Sequence, residues 1–185
     1  MKKLATIFSI AALSINFTTS NLQAETLGDV MKAEGTDKIL GTWVDADTNG
    51  EKFKITYKWK IKGHAVELIL KTEDSNSSAL IVYDQGSEKV IHMGVNSKGE
   101  FGRGTWSAQD GAAILDLTQT TADGQNVELK ISHKVVDKKS LTLGFTMKET
   151  GEGGELELVR PAKKPKVKKK KNTAGETSSS DPSGK

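Results

Sequence analysis

The acidic run Asp45-x-Asp47-x-Asn49-Gly50 matches the opening of a calcium loop, where oxygens at alternate positions converge on a glycine turn. The closing bidentate carboxylate belongs six residues after the glycine, and that position holds Thr56, which cannot supply it. Asn49-Gly50 is also a hairpin signal between two alternating segments. The hairpin is the favoured reading, and no metal site is expected.

Three histidines and one arginine complete the polar candidates. His64 lies in the turn "KGHA" and is expected to face water. His92 alternates with Ile91 and Met93, shares a face with Val90 and Gly94, and reads as lying on the less apolar side. His133 stands on a face with Val127, Leu129, Ile131 and Val135, opposite Glu128, Lys130, Ser132 and Lys134. A histidine on such a face can be a haem or metal ligand or a polar contact for a bound molecule. More commonly it is a core residue bonded to a neighbour. Arg103 follows Phe101 in phase between two glycines, where an inward guanidinium could hold a ligand carboxylate. Trp106 breaks that phase, which leaves the outer face as the other placement for Arg103. Tyr57, Trp59, Tyr83 and Met93 either line a cavity or fill a core. The candidate ligand-binding set is therefore Tyr57, Trp59, Tyr83, Met93, Arg103 and His133. The sequence contains no nucleophile elbow, phosphate loop, paired-carboxylate motif or His-x-His cluster. Neither a catalytic residue nor a cofactor is assigned, and the chain reads as a non-enzyme.

The elements that would position these residues begin after a leader. Lys2 and Lys3 form a short basic segment, Leu4 to Ile15 an apolar run, and Leu22-Gln23-Ala24 ends in a small residue. That is the pattern of a cleavable export signal over residues 1–24, and the apolar run falls short of the ~20 residues that a spanning helix needs. A secreted or periplasmic location is the expectation. The chain has no cysteine, which rules out disulfides, thiol catalysis and cysteine metal sites.

Charge divides the rest of the chain in two. The whole sequence carries 27 basic and 24 acidic residues, net +3. With the eight lysines of residues 161–185 and the two of the leader set aside, 17 basic residues face 22 acidic ones over residues 25–160, net −5. The end of the chain, "PAKKPKVKKKKNTAGETSSSDPSGK", has one apolar residue larger than alanine, Val167, and is expected to be disordered. As a coil it would reach roughly 25–30 Å. Lys163, Lys164, Lys166, Lys168, Lys169, Lys170 and Lys171 could each add up to ~1 kcal/mol at an anionic surface. Tethering to an anionic envelope polymer or membrane and simple solubilisation are both open for this tail. No specific nucleic acid is expected.

Between the leader and the tail the pattern is β. In "KFKITYKWKIKG", Phe53, Ile55, Tyr57, Trp59 and Ile61 alternate with lysines and Thr56, which defines a half-buried strand with a cationic outer stripe. Further strands are predicted at 41–47, 65–72, 79–84, 88–95, 100–107, 112–120, 125–136, 140–149 and 155–160, separated by turn signals such as "EDSNSS", "NSKGE" and "ADGQ". One short helix is expected from Thr26 to Ala33. About ten strands with short connections make an antiparallel up-and-down meander, and closure into a barrel would remove both exposed edges. Residues 25–160 form one domain.

Gly41-Thr42-Trp43 on the first strand, together with Arg160 after the last, resembles the calycin superfamily of lipocalins, fatty-acid-binding proteins and nitrobindin-like barrels. The resemblance implies that Gly41 and Trp43 close the barrel floor, with Arg160 lying across the indole in a cation–π contact worth ~1 kcal/mol. The middle of the chain, "LIVYDQGSEKVIHMGVNSKGEFGRGTW", is similar to secreted bacterial calycin-like domains through Tyr83, Asp84, Lys89, Ser97, Gly99, Phe101, Gly104 and Trp106. Tyr83 departs from the commoner Trp of that motif. This second likeness covers residues 38–160 and implies fold and secretion without an assigned activity.

Two functions fit this pattern. One is an exported monomer that binds a small apolar or amphipathic molecule inside the barrel. The other is an envelope-associated protein with a filled barrel, acting through its lysine-rich tail. An open cavity of several hundred cubic ångströms favours the first, and a packed interior the second.

Overall fold

The computed structural model describes residues 24–162. The leader expected from the sequence, up to residue 23, and the lysine run at 163–171 lie outside the described residues. Ten strands follow one short helix: α1 (Leu27–Ala33), then β1 (Gly41–Asp45), β2 (Phe53–Ile61), β3 (Ala65–Thr72), β4 (Asn76–Asp84) and β5 (Lys89–Asn96). The second half holds β6 (Phe101–Gln109), β7 (Ala112–Thr120), β8 (Asn126–Val135), β9 (Ser140–Met147) and β10 (Gly153–Val159). Each strand pairs antiparallel with its sequence neighbours, and β1 pairs with β10 to close the barrel. The all-β meander read from the alternation is therefore the observed architecture.

Several boundaries differ from expectation by a few residues, and two of them have clear local reasons. β4 begins at Asn76 rather than residue 79, because Asn76 and Ser77 extend the ladder against Lys71 and Leu70. Ser97 then fastens the strand end, accepting at Oγ from the Asn76 amide (3.1 Å) and donating its own amide to the Asn76 carbonyl (2.8 Å). β1 stops at Asp45 because that carboxylate takes the amides of Thr48 (2.9 Å) and Phe53 (2.8 Å) and the Thr48 hydroxyl. These donors hold its pKa below the ordinary carboxylate value, the Thr48 hydroxyl most of all. Asp45 thus staples the β1–β2 hairpin, with Asn49 and Gly50 both at positive φ in the loop.

The barrel has one plugged end. Thr26 and Asp29 form a reciprocal capping box that starts α1, with Leu27 and Met31 on its buried face. Gly28 donates its amide to the Gly63 carbonyl at 2.9 Å, and a Cβ at Gly28 would sit 3.3 Å from Gly63 Cα. Helix and barrel meet there through two glycines. A 3-10 helix at Thr36–Ile39 follows, with Ile39 buried. Glu25 secures the start of the segment, accepting from the Tyr83 hydroxyl at 3.0 Å and from Gln85 at 3.2 Å.

The closing seam is short, with Val44 opposite Val159 and Asp45 opposite Leu158. Side chains reinforce it. Trp43 is fully buried and donates its indole N–H to the Ile39 carbonyl at 2.7 Å. The Arg160 guanidinium carbon lies 3.5 Å from the centroid of that ring. Arg160 also donates to the carbonyls of Thr42 (3.3 Å) and Lys38 (3.2 Å), which ties the last residue of the barrel to the first. Gly41 has φ +108°, and a Cβ there would collide with the guanidinium. Gly41→Ala is therefore expected to cost about 2 kcal/mol, a fall of roughly 6–10 °C in melting temperature by scanning calorimetry.

Candidate functional site

The inner half away from α1 is not filled. A cavity of about 220 Å³ lies there, with side walls that include Ile55, Leu68, Leu115, Leu117, Ile131 and Leu143. It reaches toward the end formed by the β3–β4, β5–β6 and β7–β8 turns, where Ser77, Asn96, Glu100 and Gln119 supply polar lining. Glu100 is held in place, accepting at Oε2 from Asn96 (2.6 Å) and Gln119 (2.7 Å). The floor is made by His92 and His133.

Glycine positions explain why the cavity exists. Gly94, Gly102 and Gly104 point inward on β5 and β6, alongside His92 and Trp106. A Cβ on Gly104 would strike the Asp116 carbonyl, and one on Gly94 would strike Ala79, so those two allow strands to approach closely. Gly102 differs, since its Cβ would meet the tip of Leu117 at 3.2 Å and nothing else nearby, and it lines the cavity. Space is left open where a side chain would otherwise stand.

The floor is an aromatic cluster. Trp106 lies 5.0 Å from His133 and 6.1 Å from His92 between ring centroids, and Tyr57 meets His133 edge-on at 5.8 Å and Trp106 at 6.4 Å. His92 and His133 are 6% and 2% exposed. Burial pushes the pKa of each down to about 4. For His133 the Ala113 carbonyl pulls the other way and the nearby His92 adds to the depression. Both rings are neutral at pH 7. Burial also raises the Tyr57 hydroxyl well above its ordinary value, so it stays protonated.

Polar atoms in this cluster lack partners. Tyr57 Oη, Trp106 Nε1 and His92 Nδ1 are buried without a hydrogen bond among the described residues. One such atom costs ~1–3 kcal/mol, and folded proteins hold few of them. Three such atoms stand in one cluster beneath the cavity.

The structure separates the candidates read from the sequence. His133 lines the cavity, and its Nδ1 lies 3.3 Å from the Ala113 carbonyl, the bonded core arrangement expected for it. Tyr57 stands beneath the floor, fully buried. Trp59 and Tyr83 lie toward the plugged end, Tyr83 bonded to Glu25. Met93 and Arg103 require correction. They are register partners on the outer surface, with Met93 55% exposed, so neither can touch a molecule in the barrel. The phase is set by Trp106, whose bulk takes the inward position and sends Arg103 out. His92 is corrected in the other direction, since the face it shares with Val90 and Gly94 is the buried one. Its direction is obscured in the sequence because β5 carries apolar residues on both faces. The parity of Trp106, carried across the β5–β6 ladder where His92 faces Gly104, is the signal that identifies it.

The fold is a closed ten-stranded antiparallel barrel, consistent with a calycin-like barrel, and the site adds a plugged end and a partly open interior. No protein-family model and no curated protein matches the chain. Among the described residues, no group of three or more metal-ligating side chains comes together, and no helix is long and apolar enough to cross a membrane.

Proposed function

We propose that this is a calycin-like, exported protein that binds a small, largely apolar molecule in the open half of its barrel. The observation that carries the reading is the unfilled volume above His92 and His133, about 220 Å³ with mostly aliphatic walls. Drug-sized ligands occupy pockets of ~300–1,000 Å³, so the ligand is smaller than these. A cavity of ~150 Å³ lined by aliphatic residues holds benzene, so a substituted ring or short branched chain fits this one. The calycin assignment draws support from the Trp43–Arg160 stack, and export rests on the leader sequence. Tethering through residues 163–171 is a separate proposal, resting on the lysine run alone.

Native mass spectrometry of protein purified without denaturation is expected to show a small adduct. Gly102→Leu should abolish it while the circular dichroism spectrum stays unchanged, because the added side chain enters the cavity. An adduct retained in full by that variant would place binding elsewhere.

A further inference from the structure

We infer that the cavity selects an uncharged ligand whose buried head group both donates and accepts a hydrogen bond, such as a hydroxyl or primary amide, and that it rejects carboxylates. The inference rests on the binding function proposed above and names the ligand class for that same cavity.

The lining sets the charge preference. Among the described residues its one acidic side chain is Glu100, and no lysine or arginine lines it. Arg103, the residue best suited by type to hold a carboxylate, sits on the outer surface. Burying a carboxylate without a cationic partner is costly, because its hydration is lost and nothing of opposite charge replaces it. Glu100 near the mouth adds repulsion. Both floor imidazoles are neutral at pH 7 and add no charge to offset these terms. The electrostatics are thus the reverse of those of a barrel that holds fatty-acid anions.

The head group follows from the imidazole protons. A carbonyl oxygen only accepts, so the contact between His133 Nδ1 and Ala113 places the proton of the neutral ring on Nδ1. That leaves His133 Nε2 with a lone pair, on a ring that lines the cavity. His92 is the complement. Its Nδ1 is sealed and unpartnered. An orphaned buried N–H is rarer in folded proteins than an under-used acceptor, which places the His92 proton on Nε2. One histidine therefore accepts and the other donates. A ligand that answers both carries a hydroxyl or an amide, while a hydrocarbon answers neither.

Three probes of one ring size separate the possibilities: benzyl alcohol, toluene and sodium benzoate, titrated at pH 7 into the ¹⁵N-labelled full chain and followed by amide shifts. Benzyl alcohol is expected to bind about 3–10-fold more tightly than toluene, the worth of one net hydrogen bond. Benzoate is expected to be at least about tenfold weaker than the alcohol. His133→Phe should bring the alcohol down to the affinity of toluene. Benzoate binding as well as the alcohol, or toluene matching the alcohol in the unsubstituted protein, would overturn the inference and leave the binding function standing. If none of the three binds at millimolar concentration, toluene included, the binding function itself falls. Should His133→Phe fail to fold, the comparison of the three probes on the natural chain still decides.

Discussion

Trp43→Ala is expected to lower the melting temperature by about 10–20 °C, the largest fall of any single truncation in the barrel. Truncating a buried tryptophan costs ~3–5 kcal/mol through lost transfer energy and the cavity left behind. Trp43 is fully buried, so little of that cost is recovered by solvent. Its removal also deprives the Ile39 carbonyl of a donor and leaves the Arg160 guanidinium without the ring it stacks on. For a domain of this size each kilocalorie moves the midpoint by ~3–5 °C. Trp43→Phe keeps an aromatic ring but not the N–H, and should fall between the two. Differential scanning calorimetry reads all three proteins. A loss under about 5 °C for the alanine variant would mean that the seam does not depend on this residue.

The second large effect is acid sensitivity. His92 and His133 have folded pKa values of about 4 because burial disfavours their charged forms. In the unfolded chain each returns to about 6.5. Between those values the unfolded state binds more protons, so stability falls as pH drops from about 6.5 to 4 and levels off below. At pH 5 the loss is about 2 kcal/mol for each histidine, or about 4 together. Carboxylates with lowered pKa, such as Asp45 and Asp29, also lose their stabilising effect as pH falls. Their contribution is present above about 3.8 and is lost below it, outside the histidine window. Urea midpoints at pH 7 and pH 5 should therefore differ clearly in the natural protein and much less in His92→Phe/His133→Phe. An unchanged pH response in the double variant would assign the effect to other groups.

Legibility from sequence differs by element. The strand count and the meander are visible because Phe53 to Ile61 alternates cleanly and punctuated turns recur along the chain. The seam is legible only through the calycin resemblance, which implies that Trp43 and Arg160 meet, as they do. The site is less legible. Residue type points Met93 and Arg103 inward, yet in a strand direction is a matter of parity, and β5 has apolar residues at both parities. His92 is hidden by the same ambiguity. The mouth group of Asn96, Glu100 and Gln119 comes from strand ends brought together only by the fold. No local pattern shows that part of the interior stays open, because the opening depends on glycines that the fold sets side by side on neighbouring strands, as Gly94 and Gly102 are.

The seam between the first and last strands has a consequence for assembly. Nine of the ten ladders join neighbours in sequence, so the sheet can grow hairpin by hairpin as the chain is released. The tenth joins Val44 to Val159, reinforced by the Arg160 side chain on the Thr42 carbonyl 118 positions away, and cannot form until the last strand is present. Until then β1 and β9 both present bare edges, the state in which chains pair with one another. A protein lacking β10 should thus be lost to precipitation rather than to slow unfolding. The arginine that ends the strand acts as the latch that terminates this vulnerable interval.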